Sequence, residues 1–212
     1  MSRIQMGIRT QTKDELDYVV EAERLGCHSV WVPEPYGHDC VSFLGAIAAT
    51  TKHIGIGSAI MAIPGRTPAM RAQSVATLDW LSAGGMHLGL GVSGPQVSEG
   101  WHGVRFSKPL ARTKEYVEVV RQILARDKPL SYRGQLIELP LARSRGKPLK
   151  LIMRPERNAV PVYLASIGPA SLELCGEIAM DGCPSGWRPK TSIFSTNMSQ
   201  RAPISPSATP DA

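Results

Sequence analysis

Residues 86–116, MHLGLGVSGPQVSEGWHGVRFSKPLARTKEY, decide the fold. Met86–Leu90 reads as a short apolar strand in which glycines interleave with larger residues. It breaks into Gly91, Val92, Ser93, Gly94 and Pro95, which neither helix nor strand carries through unbroken. A long loop then runs over Trp101, His102 and Phe106 before Leu110 begins a helix. A strand ending in a small-residue turn, followed by a loop with aromatics, predicts a ligand mouth at the carboxyl end of a parallel strand. Gly89, Gly91 and Gly94 also spell GxGxxG. A dinucleotide fold needs a helix at once and an acidic residue about 20 positions later. Pro95 and the loop come first, and Glu115 lies within a helix, so the nucleotide reading is disfavoured.

The flanking text alternates between strands and helices. Ile4–Ile8 is a first strand, and Lys13–Leu25 a helix with Leu16, Val19, Val20, Ala22 and Leu25 on one face. Thr12 and Glu15 form a capping box at its start, and Gly26 ends it. Ser29–Val32 is the second strand. Pro33, Glu34, Pro35, Tyr36, Gly37, His38 and Asp39 leave it as a loop, and Asp39 caps an apolar helix over Val41–Thr51. Ile54–Ile63, IGIGSAIMAI, reads as one strand covered on both faces. Thr67 caps the next helix, Ala69–Leu81, with Pro68 at its first position. Beyond Met86–Leu90 come a helix over Leu110–Arg126, a small hairpin over residues 131–138, a strand over Val160–Ala165 and a helix over Ala170–Ile178.

Strict alternation implies a parallel α/β sheet with right-handed crossovers. An open doubly wound sheet binds its ligand at one switch point. Here unusual residues follow strand after strand, at 34–39, 58–66, 92–102 and 166–169, which favours a (β/α)8 TIM barrel. Five strands are secure and a sixth is conceivable, so a partial barrel of five to six βα units over residues 1–185 is expected. Residues 186–212 are rich in Ser, Pro and Thr without periodicity. Such a segment buries too little to offset an ordering cost of roughly 1–2 kcal/mol per residue, so a disordered tail is expected.

The chain has 212 residues and a net charge of +6. Part of the excess is local, at Arg143, Arg145, Lys147, Lys150, Arg154 and Arg157. No aromatics interleave with these residues, so a nucleic-acid groove is not expected and a solvated loop is. The alternative is a patch for a polyanionic ligand or coenzyme tail. Cys27, Cys40, Cys175 and Cys183 show no CxxC pair and no metal-ligand spacing, and read as free thiols. No apolar run reaches the roughly 18 residues of a membrane span, and the start lacks an apolar signal core, so a cytoplasmic protein is expected.

Four blocks carry a resemblance: SVWVPEPYGHDCVSFLGAIAATT, IGIGSAIMAIPGRTPAMRAQSVATLDWLS, GLGVSGPQVSEGWHGVRFSKPLARTKEYVEVVRQIL and VPVYLASIGPASLELCGEIA. Together they resemble the luciferase-like monooxygenases, and within them the branch that uses the deazaflavin coenzyme F420. The resemblance implies a barrel with the coenzyme across the carboxyl ends of the strands. It implies hydride transfer between F420 and an unidentified organic substrate. The alternative is an FMN-dependent monooxygenase using O2. The agreement stops after Ala179-Met180-Asp181-Gly182-Cys183-Pro184, as after a truncation or frameshift. A third expectation is therefore a non-catalytic barrel remnant that self-associates through open edges.

The resemblance also assigns residues. The family's third strand carries a non-prolyl cis peptide beneath the ring, which by position matches Ala59-Ile60, next to Ser58. Ser166, Ile167 and Gly168 resemble the loop that binds the coenzyme phosphate. A small-residue turn at a helix N-terminus offers free amides and a positive dipole end for that purpose. Ser93, Gly94 and Gln96 resemble the segment on the pyrimidine side of the ring. Glu34 matches a polar or acidic family position. The next position often holds a proton-transferring His but is Pro35 here, which leaves His38 as the nearby substitute. Trp101 and His102 read as a wall of the substrate pocket or, alternatively, as packing beneath the loop. Some family dehydrogenases carry a catalytic Glu where this chain has Pro95-Gln96, so sugar-phosphate chemistry is not expected.

Overall fold

The computed structural model describes residues 5–7 and 15–180. The expected cap at Thr12 and the expected disordered tail over 186–212 lie outside the described residues.

The first strand, β1 (Gln5–Gly7), pairs with β2 (Ser29–Val32), which pairs with β3 (Gly55–Ser58). β3 and the short β4 (Met61–Ala62) both pair with β5 (Met86–Gly91). β5 pairs in turn with β8 (Val162–Leu164). Every one of these pairings is parallel. Between them run α1 (Glu15–Arg24), α2 (Cys40–Thr50), α3 (Pro68–Leu81) and α5 (Pro109–Ala125), and α6 (Pro169–Met180) follows β8. Successive parallel strands joined by helices build the barrel arrangement expected from the sequence.

Side chains alternate across each strand. One face carries Val30, Val32, Ile56, Leu88 and Leu90, which share a core with Leu44 and Ile47 of α2, Val75 of α3 and Val120 of α5. The other face carries Trp31, His87 and Tyr163. The Trp31 ring centroid lies 5.5 Å from His87 and 5.1 Å from Tyr163. The indole fills the space above Gly57, where a Cβ would stand 2.5 Å from it.

Local signals worked where expected. Asp39 caps α2, accepting from the Ser42 amide at 2.7 Å, and Thr67 caps α3, accepting from the Met70 amide at 3.2 Å. The hairpin is present as β6 (Tyr132–Arg133) and β7 (Glu138–Leu139), paired antiparallel. Glu115, the acidic residue weighed for a nucleotide fingerprint, is almost buried. It accepts from the amides of Gln135, Leu136 and Ile137 at 2.7, 2.9 and 2.8 Å, and so holds that hairpin to α5.

Two expectations need correction. The segment 54–63 is not one strand, because Ala59-Ile60 is a cis peptide that separates β3 from β4. The register shows the insertion. Gly57 faces His87 and Met61 faces Leu90, so four steps on one side match three on the other, a bulge. The region after Gly94 is not all loop, since Pro95–Ser98 forms a one-turn helix, α4. Val104 then folds back onto Ser98 through two 2.8 Å bonds. Among the described residues no helix is long and apolar enough to cross a membrane.

Candidate functional site

The bulge is held by one side chain. Ser58 is fully buried, and its hydroxyl donates to the Gly89 carbonyl at 2.8 Å and accepts from the Gly89 amide at 2.9 Å. These two bonds replace ladder bonds lost at the inserted residue. The strands meet so closely there that a Cβ on Gly89 would stand 1.9 Å from the Ser58 carbonyl oxygen. One step on, the Ile60 side chain occupies the space where a Gly91 Cβ would go. Ser58 thus shapes the bulge from within, while Ala59 and Ile60 form its turn at the carboxyl end of the sheet. The Ala59 amide is satisfied by the Val32 carbonyl at 2.8 Å.

Beside the bulge lies a charged cluster. The loop after β2 presents Glu34, and the loop after β4 presents Arg66. The Arg66 guanidinium donates to Glu34 Oε1 at 2.5 Å and also pairs with Asp39. Behind them Arg71 of α3 is wholly buried. Its Nη1 lies 3.8 Å from Glu34 Oε2, its Nη2 donates to the Ala62 carbonyl at 2.9 Å, and its Nε donates to the Tyr116 hydroxyl at 3.2 Å. Tyr116 passes its own proton to the Arg66 carbonyl at 2.9 Å. Burial pushes the Tyr116 phenol above its ordinary range despite the nearby arginines, so it stays a donor. Burial raises the Asp39 carboxyl, but its two bonds from Ser42 and the Arg66 charge outweigh this and hold it below the usual range. Cys40 is pushed strongly up by burial and then by Glu34, and remains a thiol donating to the Val32 carbonyl. It is no nucleophile.

The remaining expected residues ring the same end. His38 is exposed on the loop that carries Glu34. Trp101 is 67% exposed and stands against Tyr36, centroids 6.4 Å apart. The His102 ring lies over Gly65, next to Arg66. Ser93 takes a left-handed backbone (φ 60°), Gly94 caps α4, and the Gln96 side chain folds back towards Gly94. Ser166 is buried and donates to the Ser171 carbonyl at 3.0 Å. The amides of Ile167 and Gly168 both point to one atom, Ser171 Oγ, at 3.2 and 3.1 Å. Sequence reasoning missed Tyr36, Arg66, Arg71, Tyr116 and Ser171. Only Ser171 left a local signal, a hydroxyl three residues after Gly168 at a helix start.

This donor set fits a flavin-type coenzyme. Two adjacent amides converge where an anionic oxygen would take the place of the Ser171 hydroxyl. The bulge itself carries no charged side chain. The cations near the bulge already have carboxylate neighbours.

The chain belongs to the luciferase-like monooxygenase family, which matches residues 1–192. It is 40% identical over 181 residues to "Putative coenzyme F420-dependent oxidoreductase Rv3520c" of Mycobacterium tuberculosis, covering 84% of this chain and 51% of that protein. It is 33% identical over 190 residues to an F420-dependent glucose-6-phosphate dehydrogenase of Amycolatopsis mediterranei, covering 82% and 54%. Among solved structures, an F420-dependent secondary alcohol dehydrogenase in complex with an F420-acetone adduct superposes with a TM-score of 0.68 at 27% identity, covering 82% of this chain and 56% of that one. The chain thus spans about half the length of the curated relatives it matches.

Proposed function

We propose that this chain carries the coenzyme end of an oxidoreductase that moves a hydride between coenzyme F420 and an organic substrate. The observation that carries this is the pairing, at one end of the sheet, of the Ser58-held bulge with the converging amides of Ile167 and Gly168. The relatives named above support F420 over FMN. We assign the described residues, 5–7 and 15–180, to the barrel portion.

When bound, the deazaflavin supplies the redox step and the protein supplies position and electrostatics. Ala59 and Ile60 would support the ring from the sheet side, with Ser93, Gly94 and Gln96 at its edge. The amides of Ile167 and Gly168 would hold the phosphate in place of the Ser171 hydroxyl, and Ser166 keeps the loop in shape. Glu34, engaged by Arg66 and Arg71, would face the reacting centre, and His38 on the same loop would exchange a proton with solvent. Trp101 and His102, with Tyr36, would wall the substrate side of the mouth.

The test is titration of the protein into F420 followed by fluorescence anisotropy, with FMN in parallel. Saturable F420 binding is expected. FMN binding alone would favour a monooxygenase using O2. Binding of neither by protein with intact helical circular dichroism would favour a non-catalytic barrel.

A further inference from the structure

We infer that Arg71 is a positioning residue for the mouth, acting through Glu34 and Arg66; its effect on coenzyme binding rests on the function proposed above. Arg71 sits on the core side of α3 with no exposure, among Ala72, Val75 and Ala76. A buried ion pair is a poor way to gain stability, because desolvation offsets its attraction and replacing the whole pair by apolar side chains of similar volume is often neutral or better. What an apolar residue cannot do is hold three separate elements. Arg71 reaches the end of β4 at the Ala62 carbonyl, α5 at the Tyr116 hydroxyl and the loop after β2 at Glu34. Through Tyr116 it also fixes the Arg66 main chain.

The arrangement divides the Glu34 carboxylate between two cations. Oε1 faces Arg66 at the rim, and Oε2 faces Arg71 from behind. Arg71 Nη1 is buried and makes no hydrogen bond, so the side towards Glu34 is its free direction. Glu34 is therefore held from the protein interior as well as from the rim. The charges of Glu34, Asp39, Arg66 and Arg71 also cancel within the cluster.

The experiment compares R71M, R71K and Y116F with the wild-type chain. Two readouts are used, F420 affinity by fluorescence and amide hydrogen exchange over residues 62–67. R71M removes one partner of a buried pair and orphans the Ala62 carbonyl, so its melting temperature is expected to fall by several degrees while the chain still folds. It should bind F420 at least tenfold more weakly and exchange faster at 62–67 but not in the body of α3. R71K should recover part of both, since it restores a cation but not the fork. Y116F, which keeps the charge and loses the relay to Arg66, should speed exchange alone. If R71M does not fold, R71K and Y116F carry the comparison. Wild-type affinity together with wild-type exchange in R71M, or no recovery in R71K, would overturn the assignment. A wild-type chain that binds no F420 would sink the coenzyme reading, while the exchange data would still decide the role of Arg71.

Discussion

Replacing Ser58 by Ala tests how the bulge is held. The Ser58 hydroxyl makes two bonds to a single neighbour, to the Gly89 carbonyl at 2.8 Å and from its amide at 2.9 Å, in a place with no solvent access. Alanine removes both and leaves a buried donor and a buried acceptor without partners. An orphaned buried group costs about 1–3 kcal/mol, so the pair costs about 2–6 kcal/mol. Relaxation of the bulge recovers part of this, and the expected loss is about 3 kcal/mol. Against a total stability of about 5–15 kcal/mol for a domain this is large. Urea unfolding followed by circular dichroism reads it as a lower midpoint at constant slope. The substitution removes only one oxygen atom, so it creates little cavity to confuse the result. S58A within about 0.5 kcal/mol of wild type, the range of an unremarkable surface change, would show that the hydroxyl does not join the strands there.

Further outcomes follow from other parts of the structure. His87 is held down to about 4, first by burial and then by the Arg157 charge, so the native ring is neutral. The unfolded chain takes up that proton at about 6.5. The stability this group contributes is complete above about pH 6.5 and is lost as pH falls towards 4, about 3 kcal/mol at most. Thermal melts of H87N over that window should be flatter than wild type by that difference, and parallel curves would refute it. Gly168 has open space around its Cβ position and no left-handed backbone, so G168E should fold normally and weaken F420 binding more than tenfold. Unchanged affinity would remove the phosphate-loop assignment. Asp79 is fully buried, pairs with Arg157 at 2.5 Å and accepts from the Met86 amide at 3.3 Å. D79N should cost about 2–3 kcal/mol in a urea melt, below the full penalty for a broken buried pair because Arg157 is partly solvated. A loss under about 0.5 kcal/mol would show that the tie is not structural.

The chain's own text determined its element order, its caps and its barrel pattern. Asp39 and Thr67 were legible because a cap closes a ring of three residues, and Pro68 because it suits the first turn of a helix. Strand 29–32 was legible from an apolar run between turn residues. The resemblance of four blocks pointed to the family, and it placed the cis peptide at Ala59-Ile60.

Tertiary structure alone decided how the mouth is built. IGIGSAIMAI contains no turn residue at its break, because the bulge is defined by the register against β5. Ser58 meets its partner 31 residues away. Arg71 looks like an exposed helix residue by type, yet it is buried by a tyrosine 45 residues on. Arg157 belongs to a basic run that reads as a solvated loop, yet its guanidinium returns 78 residues to Asp79. The amides of Ile167 and Gly168 converge on Ser171 only once the loop has closed. Caps and periodicity are short-range effects that a few neighbouring residues specify. A buried charge or a bulge is specified by whatever the fold brings against it, and that partner is not adjacent in the sequence.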